Sequence, residues 1–248
     1  MRAILNISAY KFVSLGDPQR FRADIHANAQ SHSLRGTVLL ADEGINLFLA
    51  GAQPDVRGFL AWLRALAVFA DLPVKESWSD AMPFRKLLVK VKREIIRMDH
   101  PTVRPQAGRA PTVDAATLAR WLDAGVDDAG REVVTLDTRN AFEVEHGRLH
   151  GAHHWRLGKF SEFPQALRTH RAELDGKTVV SYCTGGIRCE KAALLMADAG
   201  VANVLQLDGG ILKFLEDGGG RHFEGNCFVF DAREALTYTL EPVATTKV

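Results

Sequence analysis

Residues 178–192, TVVSYCTGGIRCEKA, constrain the fold more than any other stretch of the chain. The run Thr178–Tyr182 has the length and β-branched content of a buried strand, and it delivers Cys183 to its carboxyl end. Gly185-Gly186 follow, and a helix is expected to begin near Cys189. A buried strand feeding a helix through a short Gly-bearing loop is the unit of a parallel α/β sheet, whose ligand sites lie outside the carboxyl ends of the strands. The main-chain N–H groups of Thr184, Gly185, Gly186, Ile187 and Arg188 can converge on the cysteine sulfur, with a helix N-terminus behind them. Cys183 is therefore expected to be anionic and to stand at the open mouth of its domain.

The rest of the second half fits the same sheet. Thr112 is expected to cap a helix through Trp121, Glu132–Leu136 and Val204–Leu207 read as strands, and Ala192–Ala199 and Ile211–Glu216 read as helices. Residues 1–100 read differently, as β-α-β-β-α-β. A strand over Ala3–Val13 leads to a helix opened by Asp17-Pro18 with Phe21, Ile25 and Ala29 on one face. Two strands, Gly36–Leu40 and Ile45–Ala50, flank the turn Asp42-Glu43-Gly44. A second helix carries Val56, Phe59, Leu60, Leu63, Leu66 and Ala67, and a last strand covers Leu87–Met98. That order predicts a ferredoxin-like α+β sandwich. Pro101, Pro105 and Pro111 mark 101–111 as an extended linker, giving domains at 1–100 and 112–220 and a C-terminal extension at 221–248.

Several function classes are excluded by composition. With 31 basic and 30 acidic residues the net charge is +1, so any nucleic-acid or membrane argument must be local. The nearly apolar run Phe59–Ala70 is interrupted by Arg64 and is too short to span a bilayer, and the N-terminus lacks the features of a secretory signal. Three cysteines, none before Cys183, make no disulfide framework and suit a reducing cytoplasm.

A second informative stretch is VVTLDTRNAFEVEHGRLHGA at 133–152. Asp137 ends a strand, and Arg139 with Glu143 is expected to form an ion pair supporting the turn beneath the cysteine loop. Only four residues separate Cys183 from Arg188, one fewer than in a phosphotyrosine-phosphatase loop. The smaller ring suits a terminal sulfur better than a phosphate.

With these stretches in view, residues 112–218 resemble a rhodanese domain: Asp137, Arg139 and Glu143, then Gly147 and Gly151-Ala152, then the loop Cys183–Arg188. Together with ADEGIN at 41–46, CTGGIRCEKA at 183–192, DGGI at 208–211 and NCFVFDAR at 226–233, nearly the whole chain resembles the rhodanese-containing tRNA uridine hydroxylases. It resembles a short form lacking the Cys-rich C-terminal segment of longer members, and Leu47-Phe48 stand where the family usually has Gly-Thr. The resemblance implies an acylphosphatase-like N-terminal domain and an oxidoreductase that hydroxylates the wobble uridine of tRNA at C5. Dioxygen is the implied co-substrate, and the family's essential cysteine falls on Cys183. It implies no metal and no organic cofactor, a cytoplasmic location, no membrane and no stable protein partner. A rhodanese-type sulfurtransferase without tRNA hydroxylation, and an RNA-binding module with an incidental thiol, are the alternatives.

Other residues carry weaker expectations. Cys189 reads as a packing residue rather than a resolving thiol, and Cys227 as core. His146, His150, His153 and His154 read as solvent-facing imidazoles, not metal ligands. Between Phe84 and Ala110 eight Lys or Arg residues face two acids. Of these Arg85, Lys86, Lys90, Lys92 and Arg93 are candidates for tRNA phosphates, the competing reading being a solvated strand face. Glu43 and Asn46 are candidates to face a cleft between domains.

Overall fold

A computed structural model describes residues 3–243, whose packing divides the chain into two units, Met1–Arg97 and Met98–Val248. The first contains β1 (Ile4–Phe12), α1 (Pro18–Ser31), β2 (Arg35–Ala41), β3 (Gly44–Ala52), α2 (Gln53–Ala65), β4 (Val74–Ser79) and β5 (Leu87–Val91). Asp17 caps α1 by accepting the N–H groups of Gln19 and Arg20 at 3.0 and 3.3 Å, and Pro18 occupies the first turn, where no N–H is needed. Alternation with period two turns Leu5, Ile7 and Ala9 of β1 and Ile45, Leu47 and Leu49 of β3 into one core. The helices close it with Ile25 and Ala29 from α1 and Val56, Phe59, Leu60 and Leu63 from α2. Each large apolar side chain so buried contributes about 1.5–3 kcal/mol.

Strands lie in the order β4-β1-β3-β2-β5, antiparallel except for the parallel pair β2–β5. The ferredoxin-like arrangement is present, but the strand completing it is β4, not the expected run Leu87–Met98. That run is a strand only to Val91 and extends the opposite edge of the sheet. β4, VKESWS, is an edge strand with half-buried residues on both faces, so it lacks the apolar alternation that marks a strand. At the β2–β3 turn Gly44 has φ +143°, and a Cβ there would lie 2.0 Å from the carbonyl oxygen of Lys11. Only glycine lets β3 start this close to β1.

The second unit contains β6 (Thr112–Val113), α3 (Ala115–Ala124), β7 (Val133–Asp137), α4 (Ala141–His146), β8 (Gly147–Leu149), β9 (His153–His154) and α5 (Phe163–His170). It continues with β10 (Thr178–Tyr182), α6 (Ile187–Asp198), β11 (Asn203–Leu207), α7 (Gly210–Glu216), β12 (Phe223–Gly225), β13 (Cys227–Phe228) and β14 (Ala235–Leu236). A parallel sheet in the order β6-β11-β10-β7-β9 forms its centre, with every residue of β10 buried.

Thr112 is not a helix cap. It pairs in β6, and Asp114 caps α3 by accepting Thr117 N–H at 2.8 Å. The stretch 101–111, expected as a linker, lies in the second unit with Val103, Pro105 and Ala110 buried. Its carbonyls are held by Gln206, whose Nε2 donates to Ala110 O at 3.3 Å and whose N–H donates to Pro111 O at 2.9 Å. In the C-terminal extension β12 pairs with β8 and β13 with β14, while residues 244–248 of that expectation lie outside the described residues. Among the described residues no helix is long and apolar enough to cross a membrane.

Candidate active site

β10 delivers Cys183 to the carboxyl edge of the sheet, and α6 begins at Ile187, two residues earlier than expected. Gly186, at φ +102°, turns the chain so that its N–H donates to Cys183 Sγ at 3.1 Å. The N–H of Arg188 also reaches this sulfur. The loop is held from behind by α7, whose first N–H groups have no partner within their own helix. Ile211 N–H donates to Cys183 O at 2.9 Å and Leu212 N–H to Thr184 O at 3.1 Å. These bonds fix the carbonyls of Cys183 and Thr184, and of the five loop N–H groups expected on the sulfur those of Gly186 and Arg188 reach it. Gly210 explains the DGGI block: it has φ +66°, and a Cβ would lie 2.4 Å from Cys183 O.

The charges pair differently from expectation. Arg139 does not meet the carboxylate of Glu143. Its guanidinium grips Asp137 at 2.7–3.2 Å and donates to Gly147 O at 2.6 Å, with Asp137 and Arg139 both buried. Spacing of four suggests an ion pair only on a continuous helix, and α4 starts at Ala141, so Arg139 lies before it. Glu143 instead receives Arg188 in a two-bond fork at 2.6 and 2.7 Å. The same carboxylate accepts Asn140 N–H at 3.1 Å, capping α4, and the Thr184 hydroxyl at 3.5 Å. Burial opposes the charge on Arg188, but Glu143 outweighs it and keeps the guanidinium firmly protonated.

Burial also opposes ionisation of Cys183, yet the balance holds its pKa well below the ordinary thiol range. Against desolvation stand a hydrogen bond from Cys189, the charge of Arg188 and the N–H groups of Arg188 and Gly186. Cys189, expected only to pack, thus touches the reactive sulfur; burial and the neighbouring anion push its own pKa up. Its Sγ lies 3.7 Å from Thr138 Oγ1, whose hydroxyl donates to Tyr182 O at 3.0 Å. Sequence reasoning misses Thr138, although it lies inside the DTRN block.

The open mouth is a further correction. Cys183 has 0% exposed surface, while Thr184, Gly185 and Ile187 are partly exposed above it.

Cys227 is core as expected, its pKa raised to about 12 by burial. His150 and His153 lie near Glu224 and Glu173 at 3.7 and 3.9 Å. Burial lowers the pKa of His154. Among the described residues no group of three or more His, Cys, Asp or Glu side chains is placed to hold a metal ion. Arg85, Lys86, Lys90, Lys92 and Arg93 are exposed along and beside β5, whereas Arg109 belongs to the second unit and grips buried Glu190 at 2.8 Å. Glu43 and Asn46 engage the main chain of their own unit: Glu43 accepts Ile95 N–H at 2.8 Å and Asn46 donates to Ile95 O at 3.3 Å.

Comparison with known proteins places both halves. Residues 4–95 match the UPF0176 acylphosphatase like domain, and residues 117–217 match the Rhodanese-like domain. A tRNA uridine(34) hydroxylase of Variovorax paradoxus is 64% identical over 95% of this chain and 90% of its own length. Proteins of the same name from Bordetella pertussis and Delftia acidovorans are 64% and 62% identical, over 98% and 95% of this chain and 100% and 90% of theirs. The chain belongs to the tRNA uridine(34) hydroxylase family.

Proposed function

We propose that this chain hydroxylates the uridine at position 34 of tRNA, with dioxygen as co-substrate and 5-hydroxyuridine as product, and that Cys183 is its reactive group. The observation that carries the reading is the setting of Cys183 Sγ, which accepts Gly186 N–H at 3.1 Å beside the Glu143–Arg188 pair in a chain 64% identical to enzymes of that name. In this reading the loop from Thr184 to Arg188 stabilises negative charge on the sulfur, while Asp137, Arg139 and Glu143 hold the loop in shape. No resident metal or organic cofactor is assigned. Because Cys183 is covered, the pyrimidine meets it when Thr184, Gly185 and Ile187 are displaced, or meets an outer sulfur carried on it. Arg85, Lys86, Lys90, Lys92 and Arg93 receive tRNA phosphates, which makes binding salt-sensitive. The enzyme acts where tRNA is processed, in the cytoplasm.

Nucleoside analysis of tRNA tests the reading. A strain lacking the gene is expected to lose 5-hydroxyuridine and its derivatives, with recovery from the unaltered gene and none from Cys183→Ser. Unchanged nucleosides, or full recovery by that variant, overturn it. The match of residues 117–217 to the Rhodanese-like domain favours a second reading, a persulfide formed on Cys183 and passed on. Intact-protein mass spectrometry after thiosulfate exposure tests this second reading, which is overturned if Cys183 gains no sulfur atom.

A further inference from the structure

Next to Glu143 in sequence, Phe142 projects from α4 and meets two phenylalanines of the NCFVFDAR block. Ring centroids lie 5.2 Å apart for Phe142–Phe228, 6.4 Å for Phe142–Phe230 and 5.1 Å for Phe228–Phe230. The interplanar angles are 88°, 90° and 85°, so the three rings stand mutually perpendicular like the faces of a corner. His146 adds its ring 5.2 Å from Phe228. Despite these contacts Phe142 remains 44% exposed and Phe230 50%. Single exposed apolar side chains are ordinary in folded proteins; a preassembled aromatic cluster facing water is not.

The backbone that presents this corner is firmly held. Asn226 N–H donates to His146 O at 2.7 Å, tying β13 to the end of α4. Beyond β13 the chain turns back through Val229 N–H to Glu234 O at 2.9 Å, and Asp231 clamps the tip by accepting Arg233 N–H and guanidinium at 2.5–2.9 Å. Glu234 takes the left-handed region at φ +59°, a conformation that non-glycine residues disfavour. Charge lies alongside: Ala141 N–H donates to Leu157 O at 2.7 Å, which sets the segment 156–159 against the start of α4. Arg156 and Lys159 on it are exposed and have no carboxylate partner among the described residues.

We infer that Phe142, Phe228 and Phe230 form a stacking platform for an unpaired base of RNA next to the reacting nucleotide, with Arg156 and Lys159 receiving the flanking phosphates. Unpaired bases are gripped through their π-faces by exposed aromatic rings beside cations, and this corner supplies both within one unit. Phe142 adjoins in sequence the carboxylate that holds Arg188, so one short helix carries both a member of the platform and the brace of the cysteine loop. The inference rests on the hydroxylase reading for the nature of its ligand.

The test measures binding of a labelled anticodon stem-loop RNA by fluorescence anisotropy, using the full chain at fixed salt in a Cys183→Ser background so that no turnover intervenes. Phe142→Ala/Phe230→Ala is expected to weaken binding about tenfold or more, and Phe142→Tyr/Phe230→Tyr to retain it, since each stacked base contributes roughly 1–3 kcal/mol. As an independent readout, the added indole emission of the Phe230→Trp variant is expected to be quenched by the same RNA. Equal affinity of the double-alanine variant and its parent, with no quenching in the Phe230→Trp variant, overturns the platform, as does capture of a second protein chain there instead of RNA. Platform-dependent RNA binding by this chain, when the unaltered gene with Cys183 intact restores no 5-hydroxyuridine, leaves the platform standing and removes the hydroxylase reading.

Discussion

Glu143 and Arg188 meet through two hydrogen bonds, 2.6 and 2.7 Å long, with side chains 0% and 6% exposed. The pair joins α4 to the cysteine loop across 45 residues of sequence. It makes the shape of the loop depend on a carboxylate that itself caps a helix.

Removing one member of such a pair strands the other charge in a dry interior. Glu143→Gln is expected to destabilise the second unit by about 3–5 kcal/mol in urea unfolding. Replacing both, as Glu143→Gln/Arg188→Met, is expected to cost less than the sum of the single changes, because no unpaired charge is left. A single variant that unfolds at the same urea concentration as its parent contradicts the assignment of this pair as the loop's brace.

Gly210 and Gly130 separate backbone strain from collision. Both have positive φ, +66° and +77°, but a Cβ at Gly130 meets nothing within 4 Å, while one at Gly210 lies 2.4 Å from Cys183 O. Gly130→Ala is expected to cost about 1–2 kcal/mol through backbone strain alone. Gly210→Ala is expected to cost more and to abolish tRNA modification, because α7 can no longer close on the loop carbonyls. Unfolding midpoints and tRNA nucleosides together check it, and equal effects of the two changes refute it.

Ionisation of Cys183 links stability to pH. Its folded pKa lies well below the ordinary range, whereas an unfolded cysteine titrates near about 8.5. Between these values the unfolded chain holds a proton that the folded chain lacks, so this contribution grows with rising pH, is complete above about 8.5 and disappears on acidification. Cys189 and Cys227 have raised folded values and act oppositely, their contributions being lost only as pH rises past the unfolded value. The stability difference between the unaltered chain and Cys183→Ala should therefore widen between about pH 6 and pH 8. A difference independent of pH shows an ordinary, protonated thiol.

Much of this architecture is readable in the sequence where a local signal and the tertiary fold agree. Thr178–Tyr182 is a strand with the expected bounds, Asp17 and Pro18 open α1, and the Asp42-Glu43-Gly44 turn joins β2 to β3. Elsewhere the deciding contacts come from distant segments. β4 is held at an edge by β1, although its own pattern, VKESWS, carries little apolar alternation. Arg139 and Glu143 are four apart, yet each is claimed by a different partner once β7, α4 and the cysteine loop come together. The burial of Cys183 is equally invisible, since its loop is fixed by distant segments, among them α7, more than 20 residues downstream, whose N–H groups hold the loop carbonyls.

Cys189 offers the sharpest separation of the forces acting on Cys183. Its thiol hydrogen-bonds the reactive sulfur, although the Thr138 hydroxyl, which donates to Tyr182 O at 3.0 Å, leaves its oxygen 3.7 Å from Cys189 Sγ as a competing acceptor of the same proton. Cys189→Ala deletes this donor and is expected to raise the pH at which Cys183 becomes alkylated, whereas Cys189→Ser keeps an O–H in its place and is expected to move that midpoint less. Loss of packing alone affects alanine and serine through cavity volume, changing stability without any reason to shift the titration of a neighbour. The pH midpoint of alkylation therefore reports the hydrogen bond, and the urea midpoint reports the packing. Should the alanine variant titrate like its parent, the charge of Arg188 and the N–H groups of Gly186 and Arg188 suffice to hold the anion without the second cysteine.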